Sequence, residues 1–192
     1  MSAYEIYLLF HIGAAIVWIG AAFVIALLAT RATVGRDPER LRTFVHEGEW
    51  LGPRVFLPSN LAVLASAILL VHEGHWSYGQ LWIQLGIVGL ATSFLLGALF
   101  IGPNWSRVAK RAEAEGISTL GVEKQVRRLL FVAWLDLGWL AAIVVVMTVK
   151  PLSGQWTPLA VSAAIPVVFG LAAAAVLRKP TAPVAAAAGE QG

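Results

Sequence analysis

Five long runs of apolar residues constrain the fold of this chain more than any other feature. They cover residues 6–30, 55–71, 81–102, 129–149 and 158–177 of a 192-residue sequence. The hydrocarbon core of a bilayer is about 30 Å thick, and a helix needs roughly 20 apolar residues to cross it. Because backbone groups in lipid must bond within their own segment, runs of this length are helices rather than barrel strands. The sequence predicts an all-α polytopic membrane protein, a bundle of five transmembrane helices.

Composition excludes several other classes of protein. Hydrophobic residues make up 58% of the chain and charged residues 13%, which is more apolar surface than one soluble core can bury. The chain has no cysteine, so it has neither a disulfide framework nor a thiolate metal site. No Lys or Arg precedes the first run, which is too long for a signal peptide, and we expect it in the mature protein.

The distribution of basic residues predicts the orientation. They cluster after the first and third runs and after the fifth: Arg31, Arg36, Arg40, Arg42, Arg107, Lys110, Arg111, Lys124, Arg127, Arg128, Arg178 and Lys179. Residues 72–80 contain none, and the fourth connection has only Lys150 at its edge. The positive-inside rule then places the N-terminus outside and the C-terminus inside. These loops account for the net charge of +3, and we expect no nucleic-acid partner.

Two connections have the pattern of amphipathic helices. Asp37 can cap a helix that begins at Pro38, and an apolar stripe follows at Leu41, Phe44 and Val45. A second basic helix over residues 104–115 is ended by a glycine. We expect both helices to lie on lipid headgroups. Aromatic residues near the ends of the runs are predicted interface anchors: Tyr4, Trp50, Trp76, Tyr78, Trp82, Trp105 and Trp156.

Small residues and prolines predict where helices pack and where they are irregular. Gly89, Ser93 and Gly97 recur every four residues, a stripe that lets another helix approach closely, and an internal contact is favoured over one between protomers. Pro53 and Pro58 predict an irregular segment near the inner end of the second run, and a proline in the fifth run is expected to bend or break it. The low-complexity tail over residues 180–192 is predicted to be disordered and to follow a single transmembrane domain over residues 1–179.

His11 is the candidate functional residue of the first run. Ionisable residues at membrane depth are rare, and each is a functional hypothesis. A neutral imidazole can bind a metal or haem iron through one nitrogen while a partner orients the other nitrogen. It can equally bond a backbone carbonyl or a hydroxyl of a neighbouring helix. The sequence leaves both interpretations open.

Candidate partners of His11 come from the same predicted leaflet. His72 and Met147 are possible second haem ligands, since His/His and His/Met ligation both occur. His72 and His75 lie three residues apart with Glu73 between them, a set that suits copper or zinc if the helix continues through them. The alternatives are exposed loop histidines and a methionine that fills the core.

Asp136 lies deep in the fourth run, on an otherwise apolar helix face. A carboxyl group there must find a partner or be protonated. Asn60 is predicted at a similar depth and Arg54 about two turns nearer the inner surface, so a hydrogen bond or an ion pair with Asp136 is the structural interpretation. The functional alternative is a proton path from Asp136 toward His11.

Several segments resemble known membrane families. LLFHIGAAIVWIGA, which contains His11, resembles the first helix of the CopD-like superfamily, which holds copper-resistance protein D membrane domains and HemJ-type protoporphyrinogen oxidases. LGPRVFLPSNLAVLASAILL, WSYGQLWIQLGIVGLATSFLLGALFIGP and VMTVKP resemble a bacterial branch of predicted integral membrane proteins of unknown function. The resemblance implies a haem-binding or copper-related protein that uses His11. HemJ-type enzymes have a second histidine at the far end of the first helix, where this chain reads ATRATVGR, and a later lysine in a span, which this chain lacks.

The sequence therefore favours a protein that holds haem b near the outer leaflet through His11 and transfers electrons rather than making bonds. Copper is the less favoured cofactor. The expected partners are the lipid bilayer and a membrane redox partner or a second copy of the chain. Two other functions are kept as alternatives: a non-catalytic membrane subunit or assembly factor, and a copper or proton permease that uses His11, Asp136 and Arg54.

Overall fold

The computed structural model describes residues 1–178, and these residues form a helical bundle, as predicted. Its α-helices are α1 (Ala3–Gly35), α2 (Pro38–Leu51), α3 (Leu57–Glu73), α4 (Leu81–Leu96), α5 (Gly102–Glu115), α6 (Leu120–Val149) and α7 (Trp156–Leu177). Within the described part of the chain, five continuous helical segments are long and apolar enough to cross a membrane, and each contains one predicted run: Ala3–Gly35, Pro38–Glu73, Leu81–Glu115, Leu120–Val149 and Trp156–Leu177. The predicted disordered tail, residues 180–192, lies outside the described residues.

The faces that the bundle turns outward are apolar. On α1, Leu9 is 62% exposed and Phe10 and Ile16 are each 66% exposed. Large apolar side chains in this setting suit lipid tails, which are as apolar as leucine itself. The chain is an integral membrane protein that crosses the bilayer several times.

Two π-helical turns join neighbouring helices without breaking them. Gly52–Phe56 connects α2 to α3, and Gly97–Ile101 connects α4 to α5. Pro53 lies in the first turn and Pro58 just after it, which confirms the irregular segment predicted there. Because proline has no N–H to donate, the local hydrogen bonding shifts to a wider turn. The helix α7, by contrast, continues through Pro166.

The largest apolar core lies at the end of the bundle that carries the basic connections, which we call the basic end. Leu41 and Val45 of α2 pack there with Val108 of α5 and Val122 and Leu130 of α6. Asp37 caps α2, since Arg40 N donates to its Oδ1 over 3.0 Å, as predicted. The apolar faces of α2 and α5 are buried against other helices, so only their polar faces are free to meet the lipid headgroups on which both helices are expected to lie.

Trp105 of α5 shows how close this packing is. Its indole is only 8% exposed, and Nε1 donates a hydrogen bond to the Val45 carbonyl oxygen over 2.6 Å. A β-carbon at Gly48 would overlap the indole ring, so glycine is needed at that position. Trp105 is therefore a core residue and not the interface anchor that its place in the sequence predicts.

α4 packs closely on α6, within the chain, as predicted. Gly89 and Ser93 are buried, and a β-carbon at Gly89 would overlap Ile143 of α6. Trp139 Nε1 of α6 donates to the Gly89 carbonyl oxygen over 3.0 Å. Gly97, the third member of the predicted stripe, has open space around it and begins a π-helical turn instead.

Candidate functional site

His11 binds α3 through one side of its ring. Its Nδ1 lies 3.1 Å from the Val63 carbonyl oxygen and 3.1 Å from Ser66 Oγ. A carbonyl oxygen only accepts hydrogen bonds, so Nδ1 must carry the proton in the neutral ring. The Ser66 hydroxyl donates to the carbonyl oxygen of Ala62 or Val63 in its own helix.

This arrangement leaves Nε2 as the nitrogen with the free lone pair. Histidines that bind metals commonly donate their other ring N–H to a backbone carbonyl or carboxylate, which fixes the tautomer and the ring orientation. The two interpretations open from the sequence are thus compatible, since the hydrogen bond to α3 also prepares Nε2 for a ligand.

His72 does not face His11. It lies nine residues after Val63, which places it about 180° around α3 from the residue that His11 contacts. It is also exposed. A haem ligand pair made of these two histidines is not formed in this arrangement.

The helix ends before His75, which separates the two predicted metal ligands. α3 stops at Glu73, and His75 has a φ of 51°, in the left-handed region. His75 N donates to the His72 carbonyl oxygen and Trp76 N to that of Val71, each over 3.1 Å, which is a Schellman motif. Among residues 1–178, no group of three or more metal-binding side chains comes together.

Met147 lies at the level predicted for it but contacts another helix. Leu140 and Trp18 lie in one apolar cluster. Met147 comes seven residues after Leu140, and His11 comes seven residues before Trp18, so the two residues lie at a similar depth. A β-carbon at Gly86 would overlap the terminal methyl group of Met147, so the side chain packs on α4. In this position it fills the core.

Asp136 faces a hydroxyl group across the contact between α4 and α6. Its Oδ1 and Ser93 Oγ are both buried and have no hydrogen-bond partner among the described residues. Ser93 is the polar group close enough to interact with the carboxyl group, although the two do not meet the geometry of a hydrogen bond. The site is thus a pair of buried oxygens, one on α4 and one on α6, neither of which makes a hydrogen bond among the described residues.

The predicted partners of Asp136 do not reach it. The guanidinium of Arg54 lies 5.1 Å from the centroid of the Trp50 ring, and the predicted ion pair is not formed. Arg54 lies near the basic end, where a long side chain can keep its charge in water and stack on the preceding turn. Asn60 is buried in α3, and the predicted hydrogen bond to Asp136 Oδ1 is not formed.

A cluster that the sequence did not reveal lies at the opposite end of the bundle, which we call the aromatic end. Lys150 Nζ lies 4.4 Å from the ring centroid of Trp76 and 5.1 Å from that of Trp82. The two indoles are edge to face at 4.9 Å, and Tyr4 adds an edge contact to Trp76 at 5.8 Å. A single lysine among tryptophans, at an end where the described residues include no other Lys or Arg, is the sequence signal that could have identified this cluster.

Comparison with protein families matches residues 5–151 to the family described as "Predicted integral membrane protein (DUF2269)". The chain belongs to DUF2269. The matched range includes His11, Ser66, Ser93, Asp136 and Lys150, and it ends just after α6. No curated protein and no solved structure matches the chain. The DUF2269 match identifies an integral membrane protein of unknown function.

Proposed function

We propose that this DUF2269 protein binds haem b through Nε2 of His11 and acts as an electron-transfer protein of the bacterial inner membrane. The observation that carries the proposal is the hydrogen bond from Nδ1 to the Val63 carbonyl oxygen. It gives His11 the tautomer and fixed ring of a haem ligand. The resemblance of LLFHIGAAIVWIGA to the CopD-like superfamily supports the same role, with His11 near the outer leaflet.

The chain would provide one nitrogen ligand for the iron, from His11. The Val63 carbonyl raises the basicity of the ring by accepting a hydrogen bond from Nδ1–H. Bound haem supplies one-electron redox chemistry. His72 points to the other face of α3 and Met147 packs on Gly86, so in this arrangement His11 is the only ligand proposed. Copper held by His72 and His75 is less well supported, because His75 lies beyond the helix end.

An absorption spectrum tests the proposal directly. Protein purified in detergent from haem-supplied cells is expected to show a Soret band that His11→Gln abolishes. Glutamine can still donate to the Val63 carbonyl but cannot replace imidazole on iron, so the variant separates ligation from helix packing. His46→Gln is the matched control, because His46 lies in α2, 3.7 Å from Glu113. A colourless wild-type protein, or a Soret band unchanged in His11→Gln, contradicts the proposal.

The second candidate is a proton or copper permease that uses Asp136. The observation in its favour is the pair of buried oxygens on Asp136 and Ser93 without partners. A neutral carboxyl group can donate a hydrogen bond to Ser93 Oγ, and a carboxylate can accept one from the Ser93 hydroxyl, so gain or loss of a proton would reverse the hydrogen bond between α4 and α6. Trp18 and Leu140 share a cluster, so helix rise places Asp136 about 16 Å from His11 along the bundle axis. A proton path between Asp136 and His11 therefore requires intermediate groups that can carry a proton.

Transport in vesicles distinguishes this candidate from the first. Asp136→Asn is expected to abolish proton- or copper-dependent uptake, and Ser162→Ala is the control, because Ser162 donates only to Pro158 of its own helix α7. Unchanged uptake in Asp136→Asn contradicts the permease. If both the Soret band and the uptake are absent in the wild type, the remaining function is that of a non-catalytic membrane subunit or assembly factor.

A further inference from the structure

A groove of about 340 Å³ runs between α5 and α6 at the basic end. The two helices are antiparallel and are joined by a short loop after Glu115. One side of the groove is lined by Phe100, in the π-helical turn before α5, and by Asn104 and Arg111 of α5. The other side is lined by Lys124, Gln125 and Arg128 of α6.

The far end of the groove is closed by a polar cluster. Arg111 donates to both carboxylate oxygens of Glu115 over 3.0 Å and to Gln125 Oε1 over 3.1 Å. Asn104 Nδ2 donates to the Phe100 carbonyl oxygen over 2.7 Å. These groups already have partners, so they shape the groove rather than supply free charge.

Two cations in the groove keep their charge available. Lys124 and Arg128 are exposed, and neither has a carboxylate within 4 Å in the part of the chain that the structure describes. The guanidinium of Arg128 lies 5.9 Å from the centroid of the Phe100 ring, which holds it at the mouth of the groove. The groove therefore presents two positive charges beside an aromatic ring.

The mouth of the groove lies at the edge of the apolar runs. Arg128 immediately precedes the fourth run, and Phe100 lies near the end of the third. Beside Phe100, Leu99 is 72% exposed on the outer face of the bundle. An apolar surface thus leads along the bundle to the two cations, which lie where the apolar runs end and where phospholipid phosphates are expected.

We propose that this groove is a binding site for an anionic phospholipid. The headgroup phosphate binds between Lys124 and Arg128, and the acyl chains lie along Leu99 and Phe100. Two cations not neutralised by carboxylates favour a lipid with net negative charge over a zwitterionic one, because the second has an ammonium group that the groove repels. Basic pockets between helices on the cytoplasmic side are the kind of site that holds such headgroups. This site is independent of His11, which lies toward the other end of the bundle.

Lipid titration of the purified chain tests the site. Phosphatidylglycerol is added to the protein in a neutral detergent, and the bound lipid is measured by native mass spectrometry, with phosphatidylcholine as the comparison lipid. The wild type is expected to bind phosphatidylglycerol selectively. Removing one cation near a membrane surface weakens binding about fivefold, so Lys124→Gln with Arg128→Gln should lose affinity roughly thirtyfold.

A matched control removes the same charge elsewhere. Arg31→Gln with Lys110→Gln also deletes two exposed cations, but neither residue lines the groove, and binding is expected to stay within about twofold. Arg128→Lys should bind nearly as the wild type does. The proposal is overturned if the groove variant and the control lose affinity equally, if phosphatidylcholine binds as tightly, or if inorganic phosphate displaces the lipid.

Discussion

The two ends of the bundle are stabilised in different ways. At the basic end, a large apolar core from α1, α2, α5, α6 and α7 lies beneath a charged surface. At the aromatic end, one lysine is held by two tryptophans above a small apolar cluster that includes Val71 and Val146. Tryptophans near the ends of membrane spans are therefore not always lipid anchors, since they can also pack in a buried core or bind a cation.

Among the substitutions that test this difference between the two ends, truncation of Trp105 is expected to lower stability most. Trp105→Ala should lower the free energy of unfolding by about 3–5 kcal/mol, since it leaves a cavity in the core and removes the hydrogen bond from the indole to the Val45 carbonyl. The measurement is thermal or denaturant unfolding in detergent. Trp50→Ala is the control, because Trp50 is 50% exposed, and its loss should cost much less. Equal losses in the two variants would mean that the basic end has no tightly packed core.

Loss of the cation at the aromatic end is expected to have a smaller effect. Lys150→Met keeps most of the length of the side chain but removes the charge from the two indoles, which should cost about 1–2 kcal/mol. Lys150→Arg should retain most of the stability, since a guanidinium also binds aromatic faces. Unfolding followed by tryptophan fluorescence measures both variants. A Lys150→Met protein as stable as the wild type would show that aromatic packing alone stabilises this end.

Local sequence signals predicted the parts of the fold that depend on one segment at a time. The five apolar runs, the Asp37 cap and the irregular turn near Pro53 follow from composition and backbone chemistry within a few residues. The Gly89 contact could be predicted because small residues at a spacing of four mark a face where any helix can pack.

Side-chain partners from distant segments could not be predicted in the same way. That His11 binds Val63 depends on how α1 is rotated against α3, and apolar periodicity is weak on helices that are apolar all round. For the same reason, depth alone suggested Arg54 and Asn60 as partners of Asp136, whereas the rotation of α4 places Ser93 beside Asp136 instead. The burial of α2 on α5 was missed because an amphipathic helix has the same pattern on a membrane surface as on a protein core.

Replacement of His75 by glycine is expected to change stability least, and to increase it rather than lower it. Helices at both ends of the bundle are terminated by residues with positive φ: Arg36 (54°) and Gly116 (88°) at the basic end, and His75 (51°) and Lys150 (51°) at the aromatic end. A residue with a β-carbon costs about 1 kcal/mol in this conformation, so His75→Gly should stabilise the protein by about that amount. His72→Gly, inside α3, is the matched control and should destabilise by about 1 kcal/mol. If His75→Gly instead lowers the melting temperature, the imidazole itself makes a contact that stabilises the aromatic end, and this end depends on polar side chains beyond Lys150.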